Sequence, residues 1–388
     1  MPRVYWSSDS RLLQDMLSAG SELSRGVPLQ GASWLSAWWK HFSDQGDLRI
    51  LAVETKGRIK GLLPFYQRRS EKGLGVLRNL ADGDVCTDYV SVLSGEEDRT
   101  WVSKAMARFL SESADDGASG WSSLVLDGVV DGDEPMDSFL AALSEQGAAV
   151  HRHSRMHTWF KPCHGDWDDY LKNCSRGSRS KQRRMLKTLE NTEGLEVVEA
   201  TDAEQIHWLL SDLIELHQAR WNSIGEAGSF ADPKLRHFIH EAAANANRDG
   251  ELWLVGIRQQ GRLVSAALSF VGRNRRAYCY STATDLSEKK LQPGKLLTLH
   301  LIREAHRRGL DGVDFLRGDE EYKSRLQAVP RKVMEIRVAA PNMVSQLRHA
   351  AWLAQFEAKQ FLRKRLGRKT ADVVGFEEPV RAPSSRPE

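Results

Sequence analysis

The chain repeats itself, and the repeat limits its architecture more than any other feature. Leu48, Ile50, Leu51, Val53, Gly57 and Arg58 recur at a constant offset of 204 positions as Leu252, Leu254, Val255, Ile257, Gly261 and Arg262. Both stretches read as amphipathic hairpins, the first turning at Lys56-Gly57. Helical patterns precede both hairpins, and strand, helix, strand, helix, strand follows both. At 388 residues the chain has room for two domains. The expected fold is mixed α/β, two copies of one domain, each a mixed sheet flanked by helices.

Periodicity places the elements. In the first copy it predicts a helix over 10–23 and a second over SWLSAWWKHF, with Ser33 as N-cap and Trp34, Leu35, Trp38 and Phe42 on one face. After the hairpin come strands over 75–80 and 89–93, a helix over 100–113, the strand SSLVLDGV and a helix over 136–146. In the second copy, SDLIELHQARWNSIGEAGSF reads as a helix with His217, Arg220 and Trp221 on one face. A strand over 277–282, a helix over 295–308 and a strand over 313–316 follow, before the strand VMEIRVAA.

Chemistry concentrates in the second copy. Its strand, loop and helix meet at Pro293-Gly294-Lys295, where unpaired first-turn amides, a close backbone approach at Gly294 and the Lys295 charge suit a phosphate-bearing ligand. Pro-Gly before a helix is equally an ordinary helix start. The matching helix of the first copy is entered through Gly95-Glu96-Glu97-Asp98, whose acids would repel a phosphate. Past the next strand, Asp314, Arg317, Asp319, Glu320, Glu321, Tyr322 and Lys323 crowd the carboxyl end, where open α/β sheets keep their chemistry.

Other features exclude function classes. Four separated cysteines, with no CxxC and no histidine pair at metal spacing, suggest neither zinc nor a disulfide framework; reduced thiols and a cytoplasmic location are expected. No apolar run is long enough for a signal peptide or a membrane span. Net charge is only +3, but seven basic residues and no acid lie between Lys172 and Lys187. That run is either a solvated helix face or a surface for an anionic substrate or RNA. A last helix, opened by Pro341-Asn342, carries Trp352, Phe356 and Phe361 and ends in six basic residues between Lys359 and Lys369. It packs on the domains or contacts a membrane surface peripherally. The tail from Thr370 is expected to be disordered. The boundaries expected are 1–165 for the first domain, 166–200 for a basic connecting helix, 201–340 for the second domain, 341–369 for the last helix and 370–388 for the tail.

The succession LHQARWNSIGEAGSF, a helix from Pro233, LWLVGIRQQGRLVSAALSF, YCYSTATD and PGKLLTLHLIREAHRRGLDGVDFLRGDEEYK resembles the CelD/BcsL-type acyltransferases of the GNAT superfamily, relatives of the Fem-type aminoacyltransferases with two GNAT-like domains in tandem. The resemblance implies transfer of an acyl group from acyl-CoA, acetyl-CoA or longer, to an amine, without a metal. It implies that Tyr280, Ser281, Thr282 and Ala283 line the pantetheine and that Pro293, Gly294, Lys295 and Leu296 receive the pyrophosphate. Only Gly294 stands where such loops usually carry several glycines. Asp314 or Glu321 would take the amine proton, Tyr322 would protonate the thiolate and Lys323 would stabilise the oxyanion. The first domain would bring Asp88 to the acceptor, with Arg317, His217, Arg220 and Trp221 beside it. The acceptor would be a small-molecule, glycan or peptide amine. Two other readings stay open: a Fem-like transferase using aminoacyl-tRNA held by the basic run, and an inactive module that binds anionic ligands on the same fold.

Overall fold

The computed structural model describes residues 2–18, 21–68, 75–114 and 120–365. The first half runs β1 (Arg3–Ser7), α1 (Arg11–Met16), α2 (Ala32–Phe42), β2 (Gly46–Thr55), β3 (Arg58–Arg68), β4 (Val76–Asn79), β5 (Leu93–Ser94), α3 (Arg99–Glu112), β6 (Ser123–Val130), α4 (Glu134–Glu145) and β7 (Ala149–Pro162). Two helices, α5 (Trp167–Asn173) and α6 (Arg176–Asn191), lead to the second half. It runs β8 (Leu195–Glu199), α7 (Ala203–Ser223), α8 (Pro233–Arg248), β9 (Leu252–Gln259), β10 (Arg262–Val271), β11 (Arg276–Thr284), α9 (Pro293–Arg307), β12 (Gly312–Arg317), α10 (Glu321–Arg325) and β13 (Val329–Ala339). A long helix, α11 (Met343–Arg365), follows. The tail from Thr370 lies outside the described residues.

The internal repeat extends to the backbone. Lys56 and Gly57 turn the first hairpin at φ 51° and 73°, and Gln260 and Gly261 turn the second at 50° and 79°. Two successive left-handed residues match the twist of the flanking strands, which explains the shared glycine. Each hairpin also carries a register shift within a few residues of its turn.

Among the described residues the strands form one 13-stranded sheet, in the order β1-β2-β3-β4-β6-β13-β7-β12-β11-β10-β9-β8, with β5 on β3. The order is symmetrical about the β13–β7 pair, with one exchange: β13 lies against β6, and β7 against β12. Each half thus supplies the strand that continues the other half's sheet. On one face, α3 and α4 cover the first half around Met106 and Phe139, and α9 covers the second around Leu301 and Ile302. The other face is a single core spanning both halves, in which Trp34 of α2 meets Phe238 of α8 at 4.8 Å, Phe270 of β10 at 5.4 Å and Tyr280 of β11 at 4.9 Å, all edge-on.

Some elements differ from the sequence reading. The first helix is only Arg11–Met16. Gly31, in extended backbone, caps α2, and Ser33 is buried inside the helix. The expected strand over 89–93 shrinks to Leu93–Ser94, because the residues before it cross to the second half. Tyr89 takes a left-handed φ of 68° there and its hydroxyl donates to Asp314. The charged turn after β12 is the short helix α10, and the basic run falls on α5 and α6.

Candidate active site

The site is organised by a gap in the sheet. β11 and β12 are parallel and pair only at Arg276↔Gly312, Ala277↔Val313 and Tyr278↔Asp314; beyond that point they part at their carboxyl ends. β11 is bulged there, since Leu268 of β10 faces Ser281 while Ser269 faces Cys279, so Tyr280 drops out of the ladder. A bulge re-aims the residues around it. Tyr280 and Ser281 are half-buried, Thr282 is exposed and Ala283 is buried. On the other side of the gap, β12 loses its pairing with β7 between Asp314 and Arg317, and Leu316 is left-handed at φ 52°.

The entry to α9 has the features of an anion site. Pro293 has no amide hydrogen, and the Lys295 and Leu296 amides return to the Gln292 carbonyl at 3.0 and 3.2 Å. The Gly294 amide is therefore the one the first turn presents outward. A Cβ on Gly294 would lie 2.8 Å from the Thr284 hydroxyl, so β11 and α9 approach this closely only with glycine. Lys295 is exposed and bonded to the Gln292 side chain at 2.9 Å. At the matching end of α3, Asp98 accepts from Lys60 at 2.8 Å and from Trp101 at 2.9 Å, so acidic charge occupies that end.

The residues past β12 divide into anchored and accessible groups. Asp314 is fully buried and accepts from Thr158 at 2.6 Å, from the Leu316 amide at 2.8 Å and from Tyr89. It ties β12 to β7 and to the first-half loop. Lys323 is 2% exposed, and its ammonium donates to the carbonyls of Leu316, Arg317 and Gly318 at 3.2, 3.2 and 3.0 Å, with Glu320 at 2.9 Å. Four acceptors exhaust three N–H bonds, so no donor is left for an oxyanion. Glu321 is exposed and paired with Arg325. Tyr322 packs edge-on against Phe315 at 6.0 Å, partly exposed. Burial, together with nearby Cys279 and Glu320, holds its phenol well above the ordinary range, against the weaker pull of Arg220.

Asp88 and Arg317, both expected near the acceptor, are each other's partner. Arg317 donates its backbone amide and Nε to Asp88 at 2.8 and 2.6 Å, one terminal nitrogen to the Thr87 carbonyl at 2.9 Å and the other to Asp127 at 3.2 Å. Burial pushes the Asp88 carboxyl up against the pull of Arg317, while the two carboxylates hold the guanidinium firmly charged. His217 accepts from Trp221 at 2.9 Å through Nε2, which places its proton on Nδ1, facing Gln218 at 3.3 Å. Burial lowers its pKa, consistent with a neutral ring. Arg220 is exposed on the same helix.

Asp127 escaped the sequence reading. It is the one acid in the apolar strand β6, and its Oδ1 is buried without a hydrogen-bond partner. An isolated acid in a buried strand was the available signal.

Residues 176–324 match the profile of an acetyltransferase (GNAT) domain family. The fold is shared with the crystal structure of FemX, at 13% identity over 89% of this chain and 99% of that one, with a TM-score of 0.59. It is shared also with a conserved protein of unknown function from Bacteroides thetaiotaomicron, at 12% identity over 87% of this chain and 100% of that one, with a TM-score of 0.54. No curated protein matches the sequence. The chain has the mixed α/β architecture of GNAT proteins, and the matched segment contains the parted strands and the Gly294 helix entry.

Proposed function

We propose that the protein is an N-acyltransferase that moves an acyl group from acyl-CoA to an amine. The observation that carries this reading is the parting of β11 from β12 after Tyr278 and Asp314, beside the glycine entry to α9. Pantetheine would lie along Tyr280, Ser281, Thr282 and Ala283, with the pyrophosphate on the Gly294 amide and Lys295. The acidic end of α3 argues against a second donor site, so the region 201–340 would hold the donor.

The chemistry then follows from what is free. The amine nitrogen attacks the thioester carbon, the C–S bond breaks, the amine's proton passes to water, and the departing thiolate takes up a proton. Tyr322, 37% exposed and with a hydroxyl that has no partner among the described residues, gives its proton to the thiolate and is reprotonated by water. The Tyr280 backbone, released from the ladder by the bulge, supports the thioester oxygen better than the fully occupied Lys323. Asp314 and Lys323 act as positioning residues, and Asp88 acts through Arg317. Asp127, with one free oxygen beside Arg317, receives the acceptor amine. A first-half carboxylate and a second-half cleft would then share one substrate.

Calorimetric titration with acetyl-CoA and a long-chain acyl-CoA tests the reading. Gly294→Asp would abolish binding, but the 2.8 Å approach of Thr284 means that it also crowds the strand, so Lys295→Glu is the charge control and Gly294→Ala the steric one. Saturable binding weakened by Lys295→Glu supports the donor site, and the preferred chain length narrows the acceptor. Absence of binding to either thioester overturns the reading and moves aminoacyl-tRNA to the front. Its affinity would fall steeply with salt through the exposed Arg176, Lys181, Arg183, Arg184 and Lys187 of α6.

A further inference from the structure

The helix α11 is committed to the protein on one side only. Its Ser345 and His349 are buried, and Trp352 and Phe356 continue the same side, stacked on each other at 5.3 Å. His151 of β7 meets both rings edge-on at 5.4 Å, and His153 meets Phe356 at 5.0 Å. The Arg337 guanidinium of β13 lies over Trp352 at 4.6 Å, and the Gln346 amide donates to the Gly147 carbonyl at 2.8 Å. These contacts fix the rotation of the helix about its axis, and with it the residues that face away.

The outward side is apolar along most of the helix. Met343, Leu347, Ala351, Ala354, Ala358 and Phe361 follow one another at steps of three or four, so they form one stripe, with Val344 and Leu362 beside it. All eight are exposed, Met343 at 88% and Leu347 at 74%. Of the ten large hydrophobic side chains exposed among the described residues, five lie on this helix. Scattered exposed hydrophobics are ordinary, whereas a continuous stripe of them marks a docking surface.

Charge selects the occupant. α11 carries Arg348, Lys359, Arg363, Lys364 and Arg365 against a single acid, Glu357. Arg348, Lys359 and Arg365 are exposed, and the Arg365 guanidinium sits 5.1 Å over the Phe361 ring, next to the stripe. A second copy of the helix would set basic groups against basic groups. An anionic lipid surface satisfies both features, since acyl chains take the stripe and headgroups take the cations. No helix among the described residues is long and apolar enough to cross a membrane, so α11 suits the interface rather than the bilayer core. At ~1.5 Å per residue its apolar ends, Met343 and Leu362, are about 28 Å apart.

We propose that α11 lies flat on an anionic phospholipid bilayer, with Met343, Val344, Leu347, Phe361 and Leu362 entering the acyl boundary and Lys359 and Arg365 meeting the headgroups. The proposal is independent of what the parted strands bind.

Flotation of the full-length protein with vesicles tests it, comparing neutral phosphatidylcholine with the same lipid containing about one third phosphatidylglycerol. Binding is expected to the anionic vesicles, at least ten-fold weaker to the neutral ones, and reduced by salt. Leu347→Glu/Phe361→Glu should weaken it at least ten-fold without lowering the melting temperature, because both side chains are exposed. Lys359→Glu/Arg365→Glu should reduce the preference for anionic lipid, and Arg183→Glu/Arg184→Glu on α6 should leave binding intact. Absence of binding, equal binding to both vesicles, or binding that survives Leu347→Glu/Phe361→Glu overturns the proposal. So does a dimer in sedimentation that this variant dissolves while vesicles bind nothing.

Discussion

Lys323 and Tyr322 are neighbours with opposite fates, and their difference sets the residue-scale predictions. The Lys323 ammonium is spent on three carbonyls and Glu320, so Lys323→Met should destabilise by about 2–4 kcal/mol, each buried carbonyl left unpaired costing roughly 1–3. Denaturant unfolding reads this, and activity should fall with stability. Tyr322→Phe removes a hydroxyl that nothing in the described structure holds; melting should be unchanged while kcat falls by about 100-fold at constant KM. Unaltered kcat would remove Tyr322 from the proton path. Asp127→Asn should raise the acceptor KM by about 10-fold or more without changing thioester binding. The charged run after β12 was legible from sequence, but which of its members is free was not. That depends on where the backbone turns after Leu316, since the turn brings three carbonyls to one point.

At the scale of elements, α9 joins the proposed donor site to the second-half core. His300 on this helix is 8% exposed with its Nδ1 unpartnered, and burial lowers its pKa to about 4. The unfolded chain protonates near the ordinary value of about 6.5 while the folded one does not, so folded stability falls as pH drops from 6.5 towards 4. The loss reaches about 3 kcal/mol by pH 4 and about 2 kcal/mol between pH 7 and pH 5, and His300→Leu should flatten that limb in denaturant titrations at those two pH values. Trp34 makes the corresponding prediction for α2. Its indole touches Phe238, Phe270 and Tyr280 and donates to Thr87 at 2.8 Å, so Trp34→Ala should cost about 3–5 kcal/mol. The helical faces of α2 and α9 were plain from periodicity. The β11 bulge at Tyr280 was not, because its cause lies in pairing with β10 rather than in any local residue pattern.

At the scale of the whole molecule, the exchanged strands make the halves dependent on each other. Without β13, β6 has an unpaired edge and β7 loses its longest ladder. A chain cut near residue 165 should therefore give fragments that fold only when mixed, and intact protein should unfold in one transition by circular dichroism; two separated transitions would contradict this. The sequence by itself determined the duplication, the mixed α/β class, the paired hairpin turns and the asymmetry between an acidic and a glycine helix entry. These rest on interactions within a few residues: a glycine tolerating positive φ, an apolar stripe at helical spacing, charge against a helix end. Only the tertiary structure decided that β7 and β13 change places, that Asp88 spends itself on Arg317, and that Asp127 keeps one carboxylate oxygen unpaired. Each of these pairs groups from distant parts of the chain, and a hydrogen bond is spent or spared only once both partners have been brought together.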